Sequence, residues 1–296
     1  MLITPEETAH FAAFGYTVVS AEGLKVEVGA AIAEAAGRFA EVYPHHVDDR
    51  EKKLVIPTMS DEFTPAGVRL LEHPALFEAV ERILGPGFVT KPAKTTRFTG
   101  ATGWHRDCYR GLRGVKFACY LEQHSPGPVE FVLVPGSHHR AIGEYVRSLL
   151  ALDRRDLFSV DAGMGRVTSR DPTRTLAPHV PTQTLHLGPN RLLLFDLDLW
   201  HAVPTRASRL HWGVTFLAAP GSDDERAAVV AHLAEYLLEY DEPYPRDRLT
   251  YFPASWLAPH PGAAPARALQ ASGVLAALEA RFPDRLPTKG DHHGLA

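Results

Sequence analysis

The spacing of apolar residues changes character about a third of the way along the chain. Up to residue 87 they recur mainly at helical intervals, and from about 88 they fall into short runs with the two-residue period of strands. The opening segment from Thr4 to Gly15 predicts a helix, with Thr4 as N-cap, Pro5 at the first helical position, Glu7 closing a capping box and Gly15 as the stop. Tyr16-Thr-Val-Val then reads as a short strand. A second helix is predicted over about 24–42, its Ala-rich stretch ending before Pro44. A third runs from His73-Pro to Gly85-Pro. Residues 45–62 are polar and mixed, and predict a loop of the kind that closes over a site.

Beyond residue 88, Val115-Lys-Phe-Ala-Cys-Tyr-Leu-Glu, Val129-Glu-Phe-Val-Leu-Val-Pro, Arg191-Leu-Leu-Leu-Phe-Asp-Leu-Asp-Leu and Leu210-His-Trp-Gly-Val-Thr-Phe-Leu read as strands punctuated by Gly and Pro. Several short strands with irregular insertions predict a mainly β fold with flanking helices, a double-sheet jelly roll. The insertion at about 140–180 is charged, with a helix predicted from Ile142 to Leu152. Another helix is expected from Asp223 to Leu238, before a Pro-rich stretch and a frayed end. The organisation expected is one domain over 1–296: a helical part over 1–87, the jelly-roll core over 88–220 and a helical extension over 221–296.

Within this frame two motifs carry chemistry, Gly103-Trp-His-Arg-Asp107 and, far downstream, Leu199-Trp-His201. On an extended strand His105 and Asp107 project from one face, and His201 can join them from another strand. Two imidazoles and one carboxylate on one side of a metal form the facial triad of non-haem Fe(II) oxygenases, with positions left open for cosubstrate and O₂. By alternation Trp104 and Trp200 point the other way, into the core. His138 follows the Pro135-Gly-Ser turn and is expected to tie it down. Alternation also puts Arg209, His211, Gly213 and Thr215 on one face of the last strand, opposite Leu210, Trp212, Val214 and Phe216. A face of Arg, His and Thr implies a polar interior. Arg97, Lys94 and Lys91, on the strand leading to His105, are further candidates for an acidic ligand.

Composition changes this picture little. At 296 residues, 45% hydrophobic and 22% charged, the chain suits a globular enzyme. A net charge of −4 with interspersed signs argues against nucleic acid as a partner. No secretory signal or membrane-spanning run is visible. Cys108 and Cys119 cannot make a disulfide framework, which favours a cytoplasmic location, and Cys108 is read as packing.

In order, the Thr4-Pro-Glu-Glu…Phe-Gly-Tyr16 opening, His73-Pro…Leu84-Gly-Pro, Trp104-His-Arg-Asp, Val134-Pro-Gly-Ser-His and Phe195-Asp…Trp200-His resemble the phytanoyl-CoA dioxygenase-like family of Fe(II)/2-oxoglutarate-dependent oxygenases. The resemblance implies a double-stranded β-helix with Fe(II) bound by His105, Asp107 and His201. It implies 2-oxoglutarate as cosubstrate, its far carboxylate gripped by a planar guanidinium. Arg209 is the candidate, and Arg206 competes because the loop after His201 is shorter than the family usually has. Arg97 and Thr215 complete the candidate cosubstrate set. The implied activity is oxidation of an unactivated C–H bond of a small molecule, and Asp107 argues against halogenation. An Ala-, Arg-, Leu- and Pro-heavy composition leans towards bacterial natural-product tailoring, such as of a sugar-containing antibiotic. Fatty acyl-CoA hydroxylation is an alternative, as is a non-catalytic or differently metallated binding protein on the same fold.

Overall fold

A computed structural model of the chain describes residues 2–44, 53–59, 62–108, 111–120, 129–151, 157–161, 166–169, 175–188, 191–205, 208–234 and 252–282. In chain order the first elements are α1 (Pro5–Phe14), β1 (Tyr16–Ser20), α2 (Lys25–Val42), β2 (Lys53–Pro57), α3 (Pro65–Leu71), α4 (Pro74–Leu84), β3 (Phe88–Thr90), β4 (Lys94–Phe98), β5 (Thr102–His105), β6 (Gly114–Tyr120) and β7 (Val129–Leu133). There follow α5 (Arg140–Ala151), β8 (Leu157–Asp161), β9 (Arg166–Ser169), β10 (Gln183–Leu187), β11 (Arg191–Asp196), β12 (His201–Val203), β13 (Arg209–Ala218), α6 (Asp223–Ala234), α7 (Ala254–Leu257), α8 (Ala264–Ala271) and α9 (Val274–Arg281).

The strands form a jelly roll of two main sheets. The larger runs β1-β11-β6-β13-β4-β2 with β3 on the end of β13, the smaller runs β10-β7-β12-β5, and β8 pairs with β9 apart from both. Every pairing is antiparallel. Antiparallel sheets can treat their two faces differently, and the larger sheet does. Its outer face carries Leu54, Ile56, Val115, Phe117, Cys119, Leu192, Leu194, Leu210, Trp212, Val214 and Phe216 into one core with α2, α3, α4 and the helices beyond residue 223. A second apolar cluster, including Ala118, Tyr120, Phe131, Leu133, Leu193 and Phe195, lies between the two sheets. A third forms behind the smaller sheet, where α5 covers Trp104 and Trp200.

The helix signals of the N-terminus operate as their chemistry dictates. Thr4 Oγ1 accepts from the Glu7 amide at 3.2 Å and Glu7 returns the bond to the Thr4 amide at 2.7 Å. Gly15 ends α1 at φ 79°, and an added Cβ there would lie 2.5 Å from His138 Nδ1. His138 is indeed tied to this corner, its Nε2 reaching the Ala12 carbonyl at 3.2 Å.

One expectation needs correction. The stretch 45–62 is not simply a loop: β2 pairs along the whole of β4 and is an edge of the larger sheet. Its Leu54 and Ile56 enter the outer core, while Val55 is buried on the inner face. Charged neighbours on the N-terminal side dilute that short alternation in any window long enough to average over. The helix α3 is additional to those predicted: Pro65 stands in its first turn, and Thr64 makes no side-chain cap, so its free amides are met from elsewhere. The Glu34 carboxylate on α2 accepts from the amides of Ala66 at 2.7 Å and Gly67 at 3.0 Å, satisfying free donors of the helix start. The predicted helix from Asp223 is present as α6 to Ala234, and residues 235–238 lie outside the described ones. Among the described residues no helix is long and apolar enough to cross a membrane.

Because β2 buries its outer side chains fully, Ile56→Ala is expected to cost about 2–5 kcal/mol of stability. Chemical denaturation measures this; a cost near zero would mean that β2 is not part of the sheet.

Candidate metal centre

The site begins with the pairing of β5 and β12, which sets His105 directly opposite His201. Residues opposite one another in an antiparallel pair share a face, so both imidazoles enter the space between the sheets, with ring centroids 4.2 Å apart. Trp104 and Trp200 accordingly turn outward and are buried under α5, where the Trp200 indole donates to the Gly143 carbonyl at 3.1 Å. His201 is held further by the ring of Phe131, nearly parallel to it at 5.0 Å, and by Phe195 at 4.9 Å.

Asp107 arrives by a different route from the one that strand alternation suggests. β5 ends at His105, and the chain bends so that the amides of Asp107 and Cys108 both donate to the Leu197 carbonyl, at 2.9 and 3.0 Å. The intervening Arg106 points away, its guanidinium 5.3 Å from the Trp200 ring centroid and 3.4 Å from Asp198 Oδ1. Burial pushes Asp198 up to about 6, with Arg106 opposing. The ligand loop is therefore pinned to the 196–199 turn by backbone and side chain together.

The donor atoms of His105, Asp107 and His201 lie within 4.8 Å of one another. His105 Nδ1 lies 2.8 Å from the Gly103 carbonyl and His201 Nδ1 2.9 Å from the Leu199 carbonyl. A carbonyl only accepts, so Nδ1 of each ring carries the proton and Nε2 of the neutral ring presents its lone pair. Both Nε2 atoms face Asp107 Oδ1, at 3.6 and 3.9 Å. The other carboxylate oxygen, Oδ2, accepts from Lys116 Nζ at 2.7 Å. Burial alone pushes the Asp107 carboxyl up, but Lys116, then His201 and His105, outweigh it and hold the group well below the usual carboxylate range. Burial, aided by His105, pushes His201 down to about 3, so its ring is neutral. A carboxylate and two imidazoles whose donor atoms converge are a set that fits a divalent transition metal.

The inner face of the larger sheet supplies the rest. On β13 the alternation holds: Arg209, His211, Gly213 and Thr215 face inward while their neighbours enter the outer core. Thr215 stands opposite Lys116, Gly213 opposite Ala118 and His211 opposite Tyr120. Arg209 is buried, and its Nη1 donates to the carbonyls of Gly100 at 2.6 Å and Thr205 at 3.1 Å. Nη2 reaches Thr102 Oγ1 at 3.2 Å, and the guanidinium lies 4.5 Å from the Phe98 ring centroid. Burial pushes the guanidinium down from its ordinary value, with Tyr120 opposing. Burial likewise raises the Tyr120 phenol to about 12 against the pull of Arg209. Among the described residues no carboxylate pairs with Arg209. Thr102 reaches the inner face through a bulge: four residues of β5, Thr102 to His105, run against three of β12, Val203 to His201. Three strand residues place Thr102, and the guanidinium on it, roughly 10 Å from His105.

The structure thus clusters His105, Asp107 and His201 and sets Arg209 and Thr215 on the inner face of β13. It does not bring Arg97 there. Arg97 pairs with Leu210 and Leu54, whose side chains enter the outer core, and its guanidinium sits 5.2 Å from the Phe39 ring centroid beneath α2. Its candidacy as a cosubstrate ligand fails on the face it occupies. Lys91 is buried on the far side of the fold, its Nζ 3.1 Å from His232 Nε2. Arg206, the competitor of Arg209, lies outside the described residues. Sequence reasoning missed Lys116. Its signal was present: one ammonium in the otherwise apolar run Val115-Lys-Phe-Ala-Cys-Tyr, in phase with Ala118 and Tyr120.

No family model matches the chain, and no curated protein does. Solved structures do resemble it. The "non-heme alpha ketoglutarate dependent carbocyclase SnoK from nogalamycin biosynthesis" is 16% identical over 77% of this chain and 90% of its own, with a TM-score of 0.50. EvdO2 from Micromonospora carbonacea var. aurantiaca is 13% identical over 75% of this chain and 94% of its own, at 0.51. EctD from S. alaskensis, solved with 2-oxoglutarate and 5-hydroxyectoine, is 17% identical over 73% of this chain and 77% of its own, at 0.50. At such identities the shared property is the jelly-roll fold.

If the three donors form one site, Co(II) or Zn(II) at about a hundredfold excess over its Kd stabilises the protein by about 2.7 kcal/mol. Thermal melting is expected to show the rise in the wild type and none in His201→Ala.

Proposed function

We propose that the chain is a non-haem Fe(II)- and 2-oxoglutarate-dependent oxygenase that oxidises an unactivated C–H bond of a small molecule. The observation that carries this reading is the buried guanidinium of Arg209, without an acidic partner among the described residues, bonded to Thr102 on the same strand as the metal donor His105. Burying a cation with only neutral partners costs several kcal/mol, and a ligand carboxylate offsets that cost. The rough 10 Å between the two anchors suits a short dicarboxylate with a chelating group at one end. 2-Oxoglutarate has this shape: its 2-oxo acid end faces the metal and its far carboxylate takes the guanidinium.

His105, Asp107 and His201 would hold the iron(II), which would supply O₂ activation coupled to oxidative decarboxylation of 2-oxoglutarate. The protein's own residues position and shield. Arg209 and Thr102 orient the cosubstrate, Phe131 and Phe195 fix the plane of His201, and the two apolar clusters around the sheets keep bulk water from the reacting centre. We assign the chain to the phytanoyl-CoA dioxygenase-like branch on its ordered sequence motifs. We place its substrate among bacterial natural products, because structurally similar proteins include an enzyme of nogalamycin biosynthesis. Oxidative tailoring, whether hydroxylation or ring closure, is the reaction class.

Anaerobic addition of Fe(II) and then 2-oxoglutarate to the metal-free protein is expected to produce a weak visible charge-transfer band. Arg209→Ala should keep the metal yet weaken 2-oxoglutarate binding by about 10- to 100-fold, the worth of a charge-assisted hydrogen bond or two. Metal binding with no band in the wild type would refute the oxygenase reading.

A further inference from the structure

Lys116 is costly where it stands. Its neighbours along β6 are Val115, Phe117, Ala118, Cys119 and Tyr120, all buried, and its Nζ lies 5.5 Å from the centroid of the Phe195 ring. Nothing in the packing of that strand calls for an ammonium group, and taking one out of water costs free energy unless it is paired. Its partner is Asp107, and only through Oδ2, at 2.7 Å, while Oδ1 faces the two imidazoles at 3.6 and 3.9 Å. The two carboxylate oxygens therefore have separate tasks.

We infer that Lys116 is a positioning residue that sets the charge of the metal centre: it restricts Asp107 to one-oxygen ligation and cancels its charge, which favours a dianionic ligand over the bare metal. This rests on the oxygenase reading above. Two neutral imidazoles and one carboxylate give a divalent metal a ligand set of charge −1, and Lys116 brings the set to zero. A divalent ion is then held less tightly than by the triad alone. A dianion arriving at the loaded site instead meets two full positive charges with no protein anion to repel it. Thr215, opposite Lys116 on β13, carries no charge and leaves this balance unchanged.

The prediction is a pair of shifts of opposite sign. In anaerobic titrations of the full chain, Lys116→Met is expected to bind Co(II) about tenfold more tightly than the wild type. Once loaded with Co(II), it should bind 2-oxoglutarate about tenfold more weakly. Lys116→Arg keeps the charge and should keep both affinities within about threefold. A residue that only orients its ligand gives the reverse for the metal, about a 10- to 100-fold loss on removal; that result, or an unchanged affinity for 2-oxoglutarate in Lys116→Met, overturns the inference. Lys116→Gln removes the same charge with a polar side chain and carries the test should the Met variant not fold. A wild type that binds Co(II) but no 2-oxoglutarate sinks the oxygenase reading, and the Co(II) comparison alone then upholds or overturns the charge role of Lys116.

Discussion

The pairing of β5 with β12 is the constraint on which the rest depends. It puts two imidazoles next to one another across a strand boundary, their rings tilted by 52°, and the rest of the site is arranged about them. The pairing is stiff because the back of the smaller sheet is closed: Trp104 and Trp200 are buried under α5, and the Trp200 backbone amide donates to Ser137 Oγ at 2.9 Å. The insertion that carries α5 therefore belongs to the support of the metal strands. On the front, Phe131 and Phe195 fix the angle of the His201 ring. Geometry at the metal is thus set by packing before any metal arrives.

The larger sheet separates two kinds of work by face. Outward, β6, β11 and β13 present an unbroken apolar surface to the helices, and this is where the bulk of hydrophobic stabilisation lies. Inward, the same strands carry Lys116, Tyr120, Arg209, His211 and Thr215. Charges so placed lie in a medium of low effective dielectric, where each influences the others more than it would in water. That is why Tyr120 responds to both Arg209 and Asp107. Anionic ligands are favoured by the whole inner face, and the outer face takes no part in that choice.

Much of this was legible in the sequence wherever the signal is local. The capping box at Thr4, the alternation along β13 and the His-x-Asp motif each need only a few neighbouring residues. What escaped depends on partners distant in the chain. Arg97 lies in Lys94-Thr-Thr-Arg-Phe98, where polar residues occupy both faces and no alternation reveals which side is inward. Its pairing with Leu210 decides the matter. α3 is capped by a carboxylate from α2. Asp107 was placed on the correct side for an incomplete reason, since the Leu197 carbonyl and not strand alternation turns it inward. Lys116 announced itself as an anomaly, but its meaning required knowing which carboxylate oxygen it would meet.

The bulge in β5 has a consequence for how such a site can evolve. By fitting four residues against three, it turns Thr102 to the same side as His105, and Thr102 is what the second nitrogen of Arg209 holds. Inserting one residue between His201 and Val203 would restore plain alternation along β5, leave His105 opposite His201, and send the threonine hydroxyl outward. Substitutions can grade the strength of each half of the chamber, but only a change of chain length here uncouples one half from the other. A chain with one more residue between His201 and Val203 would keep its three metal donors in place and lose this hold on the Arg209 guanidinium.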